Sequence, residues 1–128
     1  MRTQVETTHA TLRRLLANGP LTALPTRHAD LRLLLRLAAS RLDAARRYSE
    51  AEINEALVDW LGTVSAPHGI DHVSLRRALV DAGHVLRDKA GSTYRANPQF
   101  RPVRAIDPAA VLDEIRRERA ARKQQHTH

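Results

Sequence analysis

Between Tyr48 and Arg95 three local signals follow one another in an order that few folds accommodate. Ser49-Glu50-Ala51-Glu52 is a capping box: the serine hydroxyl takes the amide three residues on, and Glu52 reaches back to the serine amide. The helix it opens carries Ile53, Ala56, Leu57, Trp60 and Leu61 on one face. Asp71 can cap a second helix, with Leu75, Ala78, Leu79 and Ala82 inward and Gly83 as its left-handed stop. His84 to Arg87 and Ser92 to Arg95 then alternate as two short strands about a Lys89-Ala90-Gly91 turn. Preceded by another apolar helix, this order predicts a mainly α chain with a small β-hairpin. The expected architecture is a winged helix-turn-helix core with extra N- and C-terminal helices.

The flanking segments fit that plan. Val5, His9, Leu12, Leu15 and Leu16 fall at helical spacing, and Asn18-Gly19-Pro20 stops the helix. Thr26 is the expected cap of the next helix, with Asp30 in its first turn. From Arg27 to Leu42 an apolar stripe of Leu31, Leu34, Leu35, Ala38 and Leu42 is broadened by Leu33 and Leu37, so this helix should be central. Gly62 to Gly69 reads as a loop. Asp107-Pro108 caps a last helix with a short stripe of Val111, Leu112 and Ile115. Beyond that stripe Arg116, Arg117, Arg119, Arg122 and Lys123 surround the axis and predict a solvated or frayed end. The expected organisation is a helix and connector over 1–23, a winged-helix-like domain over 24–96, and a linker with a basic helix over 97–128.

Aromatic residues make up 3% of the chain, so the core must come from Leu, Val, Ile and Ala. Nothing approaches the roughly 20 apolar residues that span a bilayer. No continuous apolar block follows Arg2, as a signal peptide would require, and cytoplasmic residence is expected. Without cysteine there is neither a disulfide framework nor a thiolate metal site. The sequence His68-Gly69-Ile70-Asp71-His72, with His84 farther on, has zinc-like spacing. Asp71 is better used as a cap, however, and no metal is expected. His126 and His128 are isolated at the terminus. Glu50, Glu52, Glu55 and Asp59 form a polar helix face with no nucleophile or base beside them, and no phosphate-cradling glycine loop is present. Neither catalysis nor a cofactor is expected.

The net charge is +7, unevenly placed. Residues 27–96 hold eleven basic against nine acidic side chains, whereas 97–128 hold seven against four. Nineteen of the 21 basic residues are arginine, whose planar fork suits phosphates and guanine edges; a GC-rich genome would give the same bias. The candidate nucleic-acid contacts are His72, Arg76 and Arg77 on the second helix of the core, with Arg87, Lys89 and Arg95 on the hairpin. Against this, Arg76 is placed to bridge to Glu52 or Glu55, Asp88 offsets part of the hairpin's charge, and Trp60 and Tyr94 are expected in the core.

Taken in order, Tyr48-Ser49, Glu52-Ile53-Asn54, Leu57, Asp71-His72, Leu75-Arg76-Arg77, Leu79-Val80-Asp81, Arg87, Gly91 and Tyr94-Arg95 resemble a bacterial domain of unknown function, number twenty eighty-seven (DUF2087), over about residues 24–96. Leu24-Pro25 and the Leu-rich helix after Arg27 fit its usual beginning. The resemblance implies a small winged-helix-type domain found in transcriptional regulators, in some of which it follows a separate DNA-reading module. It carries no catalytic residue. This chain departs from the pattern at Leu42, where a large aromatic is usual, and in the Gly62–Gly69 connection, which is longer.

The expected function is that of a DNA-binding winged-helix protein, a transcriptional regulator contacting duplex DNA through the helix 71–82 and the wing 87–95. The alternative is a protein-interaction module of winged-helix shape, docking an acidic partner through its basic C-terminal helix. RNA ranks below both, because there is no aromatic platform for unstacked bases. Val5, Leu12 and Leu16 with Val111, Leu112 and Ile115 are the expected homodimer surface.

Overall fold

A computed structural model describes residues 3–126; His128 lies outside them. Thr3 closes a capping box with Glu6 and starts α1 (Gln4–Leu15). That signal has the same Thr-x-x-Glu spacing as the Ser49 box but went unread in the sequence. Helix α2 spans His28–Ala39. Its cap position is Arg27, with no side-chain hydrogen bond, so Thr26 does not perform the expected role. Asp30 sits in the first turn, buried, and receives Arg14 at 2.5 Å.

Strand β1 (Tyr48–Ser49) leads into α3 (Glu50–Val64), whose capping box forms as expected: Glu52 N to Ser49 Oγ is 3.1 Å and Ser49 N to Glu52 Oε1 is 2.9 Å. Helix α3 continues through Gly62, the expected start of the loop, because Val64 gains full burial by staying helical. Helix α4 (His72–Asp81) follows, then β2 (Val85–Arg87), β3 (Thr93–Ala96) and α5 (Pro108–His126). The sheet is three-stranded and antiparallel in the order β1-β3-β2. Tyr48 pairs with Tyr94 and Leu86 with Arg95. The hairpin was expected; its third strand was not.

Ile53, Leu57, Leu75 and Leu79, all at most 1% exposed, form the α3–α4 seam. Leu34, Leu35, Leu37 and Ala38 give α2 a wide buried arc, as its composition predicts. Trp60 and Tyr94 are core residues. Ala82, expected inward, is instead the exposed C-cap of α4, because Gly83 turns the chain at φ 80° directly after it.

The terminal helices do not stand apart from this core. Leu12, Leu16, Val111, Leu112 and Ile115 are all buried, within one cluster that also holds the α2–α4 leucines. Helix α5 packs on α1 and α3. Arg13 reaches Glu118 and Glu114, and Arg119 donates to the carbonyl of Ala17. The apolar stripes expected to form a homodimer surface are therefore consumed inside the chain, leaving only Val5 of that set exposed. The basic end of α5, expected to fray, is helical to His126.

The long α3–α4 connection is built rather than slack. Leu21 forms a parallel bridge with Ser65: its amide donates to Val64 O at 2.8 Å, and its carbonyl accepts from Ala66 N at 2.9 Å. Ser65 Oγ accepts from the Ile70 amide at 2.9 Å and lies 2.9 Å from Ala66 O. No helix among the described residues is long and apolar enough to cross a membrane.

Candidate nucleic-acid interface

Helix α4 owes its orientation to its two ends and its two leucines. Asp71 accepts from Val73 N and Ser74 Oγ, each at 3.2 Å, and these bonds hold its carboxyl below the usual range. Leu75 and Leu79 lock the inner face. Ser74, Arg77 and Asp81 then point outward, as their three- and four-residue spacing requires. Arg77 has no ion-pair or hydrogen-bond partner among the described residues.

The other two candidates on α4 are placed differently. Arg76 is not a free cation: its side chain is 15% exposed, and its Nη1 lies 2.5 Å from Asn54 Oδ1 and 3.4 Å from Glu50 Oε1. Its guanidinium also stands 5.6 Å from the centre of the Tyr94 ring. It thus ties α4 to α3 and β3, the structural role expected of it, but through other partners. Glu52 is already committed to its capping box and to Arg46 at 2.5 Å, whereas Glu50 and Asn54 share the helix face that meets α4. His72 lies about 140° around the helix from Arg77, at 100° per residue. It lines a separate cleft of about 710 Å³ between the end of α3, the 65–71 loop and α5, with Nδ1 3.7 Å from Asp71 Oδ1. His72 and Arg77 therefore do not share the surface that the sequence assigned to both.

The β2–β3 hairpin is organised by Asp88. Its carboxylate accepts from Ser92 N at 2.8 Å, Thr93 N at 3.2 Å and Ser92 Oγ at 3.0 Å, and the Ser92 amide is the main cause of its lowered pKa. The turn so formed leaves Lys89 exposed at the tip. Gly91, at φ 71°, lies under the Arg87 guanidinium, where a Cβ would come within 2.7 Å of Nη2. Because β1 pairs with β3, Arg47 joins this surface. Arg47, Arg87 and Arg95 line one cleft of about 270 Å³ with Leu86, Asp88 and Thr93. No carboxylate lies within ion-pair distance of these three arginines among the described residues. Arg47 escaped the sequence reading because only the β1–β3 pairing, some 45 residues apart, brings it here.

Among the described residues no three of His, Asp and Glu are grouped to hold a metal. The fold and its charges define a mainly helical protein with a small antiparallel sheet and a basic hairpin. The chain belongs to the family described as "Uncharacterized protein conserved in bacteria (DUF2087)", whose profile matches residues 20–96. No curated protein and no solved structure matches it.

Proposed function

We propose that this protein binds duplex DNA, without catalysing a reaction, as a transcriptional regulator. In this reading α4 approaches a groove with Arg77, and the wing lies along the phosphate backbone. The observation that carries it is the unpaired set of Arg47, Arg87 and Arg95 around one cleft beside Lys89. Elsewhere Arg13, Arg14, Arg41, Arg46 and Arg76 each meet a carboxylate of the chain itself. Three guanidiniums and Lys89 outnumber the one carboxylate of the cleft, Asp88, which is engaged by the turn amides; the excess raises the local potential, and a polyphosphate backbone lowers it again while releasing counterions. Arg76 supports this interface indirectly, by fixing α4 against the sheet.

Salt-dependent binding to duplex, single-stranded DNA and RNA tests the proposal. Five phosphate contacts (Arg87, Lys89 and Arg95 from the wing, with Arg47 and Arg77) give a slope of log K against log salt of about −4.5. Removing Arg77 and Lys89 together should flatten it by about 1.8. No duplex binding at low salt, binding indifferent to Arg77→Ala with Lys89→Ala, or tighter binding to RNA would each overturn the reading. A partner retained after nuclease treatment, with no affinity for duplex, would point to the protein-interaction role instead.

A further inference from the structure

A second set of unpaired arginines lies away from the wing. Arg32 and Arg36 are four residues apart on α2, so their guanidiniums share one face, where like charges repel. Arg36 Nε donates to Arg101 O at 3.3 Å, but neither arginine has an ion-pair partner among the described residues. Asp30, the one acid of that helix, is already held by Arg14. Both arginines line a cavity of about 260 Å³ together with Leu33, His84, Phe100 and Val103.

His84 is the most informative wall of this cavity. It is 5% exposed, its Nδ1 is buried without a hydrogen-bond partner, and its ring lies 4.3 Å from that of Phe100. Burial, then Arg32, then Arg36 hold its pKa below the ordinary value. Two guanidiniums beside a buried imidazole nitrogen make the pocket electropositive. Phe100, by contrast, is one of the few large apolar side chains left exposed among the described residues.

We propose that this cavity is a binding site for a small organic oxyanion, an aryl carboxylate or aryl phosphate of about one ring. The two arginines would clamp the oxyanion, and Leu33, Phe100 and Val103 would receive the ring. Two guanidinium forks suit a carboxylate or phosphate edge, and the volume admits little more than a ring and its charged group. The site does not rest on the nucleic-acid reading, since it shares none of those residues.

Benzoate, phenyl phosphate and inorganic phosphate serve as probes in titrations of the full chain followed by NMR of the His84 ring. Saturable binding of the two aryl probes is expected, with the His84 pKa rising as the anion binds. Inorganic phosphate should bind at least about tenfold more weakly, for want of the apolar contact. Arg32→Gln and Arg36→Gln, each confirmed folded by circular dichroism, should each weaken binding about tenfold or more. Arg122→Gln on α5 should leave it unchanged. No saturation by roughly 10 mM probe, equal affinity for inorganic and phenyl phosphate, or equal sensitivity to Arg122→Gln would overturn the assignment.

Discussion

Two glycines at either side of one turn should respond to alanine with opposite signs. Gly69 lies where a Cβ would stand 2.7 Å from Leu21 O, 2.7 Å from Ser65 Oγ and 2.9 Å from Ala66 O. Two of these are backbone carbonyls, that of Leu21 accepting from the Ala66 amide in the Leu21–Ser65 bridge and that of Ala66 accepting from the Gly69 amide, so they cannot swing aside as a flexible side chain would. Overpacking of this kind costs about 1–3 kcal/mol, and displacing Ser65 also weakens its bond from the Ile70 amide, worth about 1 kcal/mol. Gly69→Ala should therefore destabilise by roughly 2–3 kcal/mol and lower the Tm by about 6–12 °C for a chain of this size. Gly62 lies inside α3, and a Cβ there meets nothing within 4 Å. Gly62→Ala should stabilise by about 0.5–1 kcal/mol through helix propensity alone. Thermal and urea unfolding of both variants are the assay. A neutral Gly69→Ala would mean that the 65–71 loop is not held as described, and a destabilising Gly62→Ala would refute the continuation of α3 through that position.

Two further outcomes are expected. Because the folded-state pKa of His84 lies below 6.5, the unfolded chain binds more protons in that range. Stability is then full above pH 6.5 and declines as pH falls through the folded value. His84→Phe should remove this component in urea titrations above about pH 5, before the lowered carboxyls of Glu52, Asp71, Asp88 and Glu118 begin to protonate. An unchanged slope would show that His84 titrates freely. Leu112→Ala, at a position 3% exposed on α5, should cost about 2–5 kcal/mol in urea unfolding; a loss under about 0.5 kcal/mol would mean α5 is not docked.

What the sequence disclosed follows the range of the interactions involved. The Ser49–Glu52 box, the Asp71 cap, the Gly83 stop and the Asp107-Pro108 start are settled within a few residues, and each formed. The extent of α3 was misjudged because glycine's weak propensity is outweighed by burial of Val64, a tertiary gain no local pattern contains. Strand β1 is two residues long, too short for an alternating pattern, and Arg47 was lost with it. On α4 the arithmetic of helix rotation placed Arg77 correctly. It could not reveal that His72 meets the α3–α5 cleft or that Asn54 and Glu50 take Arg76. The terminal stripes were legible as apolar, but their mutual burial depends on partners about 100 residues apart.

The joining of α1 to α5 has a consequence for where this molecule can be cut. The family profile matches residues 20–96, yet Leu12, Leu16, Leu112 and Ile115 complete the same apolar interior. A fragment trimmed to the matched residues would therefore bare a greasy flank of α3 to water.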